Sequence, residues 1–405
     1  MRLVLITHGS TGDTIPMVRL AGEAVRRGHD AILLAAPYWR TAAEDQGVRF
    51  AAIPPHGGLE DQTTYMRRYS AIRNKVKLLE EMFRQLNRWL PEILPTLREH
   101  LEGSDALLCS YLFPLYHHVA DERGIPAVLV HFCPNTAFCP NRAPEQIPEL
   151  PAFLPERLRE GWARSLTGLA DGYLTRRLNA CLSRPELRLR SWLRPPVRLN
   201  LILAPESVAA VRSDELPKGT ALTGFVAGGF AGGKDGGGGA WDEGPLLGFG
   251  SVSAPGMAEE FRHLYRHWPK DRPLTIQAGW LPPPPPPAES RIRIIGEAPH
   301  SEIFPRATVL IHHGGAGTTT SALLAGKPQV VVPHFADQDF WGRTVRRLGC
   351  GTVLPRKGWG KRLAAAVDHV DRPPFRQSAR EIQAREAAVD GAATAIKRLE
   401  HWIHP

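Results

Sequence analysis

The sequence predicts an α/β protein built from two doubly wound parallel-sheet domains that face each other across a cleft. Three observations carry this. Short apolar runs alternate with helical patterns from the first residues, as in parallel α/β sheets. The same rhythm restarts after residue 244, and a glycine-dense stretch, GFVAGGFAGGKDGGGGA at 224–240, lies between the two halves.

In the first half, RLVLIT, AILLAA, VRFAAI, ALLCS and AVLVHF read as strands, each followed by turn residues or an amphipathic segment. Residues 66–101 place Leu78, Leu79, Met82, Leu86, Trp89 and Leu90 at helical spacing, and residues 155–194 repeat the theme with Leu, Trp and many Arg. Such helices pack on a sheet, wall a pocket or touch a bilayer. The glycine stretch has maximal backbone freedom and reads as a linker. In the second half the strands are PLLGFGS, LTIQAG, RIRIIG, TVLIHH, QVVVPH and GTVLP, with Pro282–Pro287 as an extended loop and residues 376–403 helical. The expected division is therefore 1–223, a linker at 224–240, and 241–375, followed by a terminal helix.

A chain of 405 residues exceeds what one core usually organises, and its 43% apolar and 22% charged residues are those of an ordinary globular protein. The five cysteines form no C-x-x-C pair, which favours reduced thiols in a cytoplasm. The apolar run Leu3–Ile6 is too short for a signal peptide or a membrane span. The net charge of +9 is spread over many helices without a dense block, so no nucleic acid partner is expected. An anionic ligand or a peripheral membrane contact fits that charge better, and a solvated arginine-rich surface fits it best.

The strongest chemical signal is TVLIHHGGAGTTTSALLAGKP. A strand ends at His312 and His313, glycines follow, and a helix opens near Thr318. Free N–H groups and the positive end of the helix dipole then face the turn, where glycine lets a phosphate approach the backbone. A diphosphate is the expected occupant, with His313 as an added donor in place of a metal; no metal and no cofactor are expected. The chain lacks both G-x-x-x-x-G-K-[ST] and G-x-G-x-x-G, which weakens kinase, ATPase and dehydrogenase readings. One strand on, Asp337 and Gln338 follow QVVVPHFA, and an acid beside an amide suits vicinal sugar hydroxyls. Helix capping is the plainer role for Asp337. Trp280 can stack on a donor base, and Gly250 and Ser251 can bond phosphate or base.

These residues resemble family 1 glycosyltransferases, closest to the bacterial and fungal branch of sterol, glycolipid and natural-product glucosyltransferases. The resemblance runs through GSTGDTIPMVRLA, GFGS, AGW, APH, HHGGAGTT and PHFADQ in the family's order. It implies a GT-B, Rossmann-like architecture, with an N-terminal acceptor domain, a C-terminal nucleotide-sugar domain and a final helix, about 376–405, crossing back. It further implies that His313, Gly315, Gly317 and Thr318 hold the diphosphate, Trp280 the uracil, and Asp337 with Gln338 the sugar. Asp13 matches the position where many relatives keep their catalytic histidine or aspartate. Relatives often carry a glutamate eight residues after the phosphate histidine; here that position is Ser321, which leaves UDP-glucose, the favoured donor, in competition with a dTDP-sugar.

Asp13 lies in the turn after the first strand, where a carboxylate can take the proton of an attacking hydroxyl. A single in-line displacement then inverts the anomeric centre. His8 is the rival base, and helix capping is the alternative role for Asp13. His8, Tyr111, His131 and Phe132 are candidates for lining a hydrophobic acceptor site, roofed by residues 131–153. Two other activities remain open, a nucleotide-sugar epimerase of the same plan and an inactive nucleotide- or lipid-binding module.

Overall fold

The structure is a computed structural model. It describes the chain except residues 138–152, 210, 212, 227–242, 253, 281, 336 and 405. Most of the expected linker and most of the expected acceptor-site roof therefore lie outside the described residues.

The first domain is one seven-stranded sheet made of β1 (Arg2–Ile6), β2 (Asp30–Ala35), β3 (Arg49–Ala52), β4 (Ala106–Ser110), β5 (Ala127–His131), β6 (Leu199–Ile202) and β7 (Thr220–Leu222). The order is β3-β2-β1-β4-β5-β6-β7, with every pair parallel. Leu5 lies beside Leu33 on one side and Leu108 on the other, and all three are fully buried. Such two-sided burial explains why these strands read as unbroken apolar runs. The second domain is a six-stranded sheet of β8 (Gly244–Gly248), β9 (Leu274–Gln277), β10 (Ile292–Ile295), β11 (Ala307–His312), β12 (Gln329–Val331) and β13 (Gly351–Val353). Its order is β10-β9-β8-β11-β12-β13, again all parallel. The chain reverses direction across the sheet between β1 and β4 and between β8 and β11, and open α/β sheets bind ligands at such points.

Seven helices matter to the argument: α1 (Thr11–Arg26), α2 (Lys75–Leu101), α3 (Glu156–Asn179), α4 (Ala316–Leu324), α5 (Gln338–Arg347), α6 (Pro373–Glu386) and α7 (Gly391–Ile403). The periodic segment 66–101 is divided at 72–74, where the Asn74 side chain accepts from the Lys77 backbone and starts α2. The expected helix over 376–403 is likewise two helices. α6 packs on α4 in the second domain, and only α7 crosses back onto α1. The division falls where Asp390 accepts from the Ala392 and Ala393 N–H groups and caps α7.

Ala395, Ile396 and Leu399 of α7 share a buried cluster with Leu20 and Ala24 of α1. Beside it, Glu400 pairs with Arg27 at 2.6 Å and with His29 at 2.7 Å, and the Arg27 hydrogen bond holds its carboxyl down at about 2. The path leaving the first domain at Phe225 touches the path entering it at Gly391, whose N–H donates to the Phe225 carbonyl at 3.1 Å. A Cβ on Gly391 would collide with the carbonyls of Gly224 and Phe225, so the approach requires glycine. Four described cysteines are free thiols. Among the described residues no helix is long and apolar enough to cross a membrane.

Candidate active site

On the first domain, β1 ends into a turn whose shape is set by one glycine. Gly9 has φ +127°, and a Cβ there would collide with the Asp13 carboxylate. Asp13 sits in the first turn of α1, and Ser10 donates to its Oδ2 twice, from the backbone N–H at 2.9 Å and from Oγ at 3.2 Å. This is a capping box, with the aspartate filling the place usually taken by Glu or Gln. Both bonds fall on Oδ2, so Oδ1 accepts none among the described residues. Burial pushes the Asp13 carboxyl up to about 7, and the negative charge of Asp337 adds to this against the Ser10 donors. Capping, weighed against base chemistry from sequence, thus occupies one carboxylate oxygen and leaves the other open.

Asp337 belongs to the other domain, at the N-terminus of α5. Its Oδ2 accepts from Trp341 Nε1 at 3.1 Å, and burial raises its carboxyl to about 6. Tyr111, in the turn after β4, feels the charge of both Asp337 and Asp13, and burial first of all drives its hydroxyl well above the ordinary value. The strand ends of the two sheets therefore face a common space. Gln338 is buried, and its Oε1 accepts from the His334 N–H at 2.7 Å and the Phe335 N–H at 3.2 Å, shaping the turn that presents Asp337.

At the second reversal point, β11 leads through His313, Gly314 and Gly315 into α4. His312 is a pin: its Nδ1 accepts from the Gly314 N–H at 3.0 Å while its Nε2 donates to Gln329 at 2.9 Å. That pattern fixes the neutral tautomer, in line with a ring whose burial holds it down at about 4. Gly314 has φ +86°, and a Cβ would lie 2.6 Å from Val331 and 3.0 Å from the Gln338 carbonyl. α4 has Gly315 at its N-cap, no side-chain cap and no acid in its first turn. The N–H groups of its first turn therefore lack intrahelical acceptors and converge on the turn. The His313 ring lies over Gly315, close to Gly250, with its buried Nδ1 unpartnered. Burial, with the neighbouring His312, His334 and His300, drives His313 well below its ordinary value, so the ring is held neutral. The hydroxyls of Thr319 and Ser321 both bond back to carbonyls of their own turn, at 2.9 Å.

Trp280 follows β9, and its N–H donates to the Gly250 carbonyl at 3.1 Å. Its indole meets Tyr38 of the first domain edge-on, with ring centroids 5.9 Å apart. Tyr38, which the sequence reading missed, comes from a turn at the carboxyl end of β2 and feels the charge of the half-buried Glu297 beyond β10. Their position at strand ends was the available signal.

His8 lies in an aromatic box of Trp89, Phe113 and Tyr116, with its Nε2 2.6 Å from the Tyr116 hydroxyl, and burial lowers it to about 4. His131 bonds Thr136 at 3.0 Å and Asn200 at 3.2 Å, which uses both ring nitrogens, and stacks on Tyr111. Phe132 is buried in the core. Both side chains are thus buried beside Tyr111.

Comparison with known proteins agrees with this geometry. Residues 286–401 match the model of the Erythromycin biosynthesis protein CIII-like C-terminal domain. The chain is 28% identical to glycosyltransferase GtfE of Amycolatopsis orientalis, over 98% of this chain and 97% of the relative. It is also 28% identical to the O-mycaminosyltylonolide 6-deoxyallosyltransferase of Streptomyces fradiae, over 99% and 97%. The solved glycosyltransferase SsfS6 of Streptomyces sp. SF2575, complexed with thymidine diphosphate, superposes with a TM-score of 0.64 at 21% identity, covering 99% of both chains. The fold is thus GT-B, and the protein is a glycosyltransferase of the natural-product type. Its sequence is similar to those of family 1 glycosyltransferases.

Proposed function

We propose that this glycosyltransferase moves a sugar from a nucleoside diphosphate donor onto a hydroxyl of a hydrophobic small-molecule or lipid acceptor, by inversion and without a metal. One observation carries the reading: the open Oδ1 of Asp13, on a carboxyl raised to about 7, shares a space with Asp337. A base poised near neutral pH both exists as carboxylate and accepts a proton readily. The diphosphate sits on the uncapped turn of α4, with His313 donating one N–H to the leaving oxygens. Asp337 accepts from sugar hydroxyls, while Gln338, whose oxygen shapes the turn, offers its amide N–H. The acceptor enters beside Tyr111 and the aromatic box around His8.

UDP-glucose remains the favoured donor, with UDP or dTDP as the nucleotide still to be decided. Thymidine diphosphate in SsfS6 supports the second, and Ser321, with its hydroxyl turned to Gly317, supplies no acid for ribose. Incubation with UDP- and dTDP-glucose, with and without hydrophobic alcohols and phenols, tests the reading. Nucleotide release that requires the acceptor, with a product of inverted anomeric configuration by NMR, is expected. A retained configuration, or a changed sugar in the absence of acceptor, would overturn it.

A further inference from the structure

Outside the cleft, exposed apolar surface is concentrated on one helix. Of the seven large apolar side chains that are exposed among the described residues, five fall within 153–173: Phe153, Leu158, Trp162, Leu169 and Tyr173. The last four lie on α3, where at about 100° per residue they fall within a stripe about 60° wide. The opposite face of α3, with Ala163, Thr167 and Leu178, is buried. Leu169 is 72% and Leu158 59% exposed, more than scattered surface leucines require.

An arginine-rich segment borders the stripe. Between 176 and 198 the chain has seven arginines and a single acid, Glu186. This segment is laced to the flank of α3: Asp171 accepts from the N–H groups of Trp192 at 3.0 Å and Leu193 at 2.9 Å, and Asn179 exchanges two 2.8 Å bonds with Leu189. In LRLR, residues 187–190, the leucines are buried while Arg188 and Arg190 are exposed. Arg176, Arg188, Arg190 and Arg198 are all exposed and form no ion pair with a carboxylate among the described residues. A Leu, Trp and Tyr stripe beside unpaired arginines matches the chemistry of an interfacial helix on an anionic bilayer, whose headgroups pair with the arginines while the stripe enters the acyl boundary.

We infer that α3 and the 176–198 segment form a docking surface for an anionic lipid membrane. α3 packs on α2, whose Trp89 borders the aromatic box at His8, so docking sets the acceptor side of the cleft one helical layer from the lipid. The inference concerns docking alone and does not depend on the transfer reaction.

The test is flotation of the full chain with phosphatidylcholine vesicles that contain or lack phosphatidylglycerol. Binding to the anionic vesicles only, weakening with salt, is expected. Arg176→Glu, Arg188→Glu and Arg190→Glu should each lower partitioning by about five-fold or more, and a Leu158→Ser, Leu169→Ser, Tyr173→Ser variant should abolish it. Turnover on a dissolved acceptor, measured in parallel, reports folding and separates this inference from the proposed reaction. If the serine variant fails to fold, the arginine reversals, all on exposed side chains, decide. Absence of flotation, or flotation that the reversals leave unchanged, overturns the proposal. So does a serine variant that turns a dimer into a monomer while no form of the chain binds vesicles, because the face then belongs to a second copy.

Discussion

The turn from β1 into α1 and the turn from β11 into α4 are the same structural unit placed at corresponding points of two sheets, and they have opposite chemistry. In the first, the helix N-terminus is closed by a side chain: Asp13 Oδ2 takes both Ser10 donors. In the second, glycine stands where a cap would be, and the backbone itself is left to bind. Helix N-termini attract anions in both cases. A built-in carboxylate satisfies that attraction and, in the proposed reaction, serves as the base, whereas its absence leaves room, in the same proposal, for the donor's phosphate.

Exchanging the features of the two turns should expose this contrast. Asp13→Asn keeps the cap and removes the base, so kcat should fall about 1000-fold or more while nucleotide affinity by calorimetry stays within about two-fold. Wild-type turnover in this variant would end the assignment of the base. Gly315→Asp gives the second turn an acid of its own and crowds His313, and it should weaken nucleotide diphosphate binding about 100-fold. Unchanged affinity would place the diphosphate elsewhere.

The pH dependence sharpens the comparison further. Below about 7 the protonated Asp13 cannot act as a base, so kcat/KM should fall about ten-fold per pH unit there, and a profile flat from pH 5 to 8 would contradict this. The smallest effect concerns stability. A carboxyl whose folded value is raised contributes stability that is complete below its unfolded value and is lost as pH rises through about 7. Asp13→Asn should therefore melt about 2 °C above wild type at pH 8 and close to it at pH 4. The reverse order in a thermal scan would mean that the carboxylate is better solvated than its burial implies.

Much of this was legible in the sequence because parallel strands buried on both faces leave long apolar runs. Eleven strands stand out as apolar runs, the inner ones most clearly, while β6 is lost against the arginine-rich chain before it and β7 is three residues that are only partly buried. The glycine turn after β11 was legible for a different reason, since positive φ and close approach call for glycine there, as at Gly314. What stayed hidden depends on meetings between distant residues. Nothing in PYW announces that Tyr38 will meet Trp280, and no local pattern reveals that His131 spends both nitrogens on Thr136 and Asn200. Capping and base chemistry at Asp13 appeared from sequence as rivals, because only coordinates show that the cap leaves one carboxylate oxygen open.

The contact between Phe225 and Gly391 bears on how the cleft can move. The Gly391 N–H bond to the Phe225 carbonyl ties the two crossings together at one place, so a movement of the two halves about that spot is the one that keeps the bond intact. A methyl group at 391 would act as a wedge, resetting the resting angle between the sheets from a site that holds no reactive group.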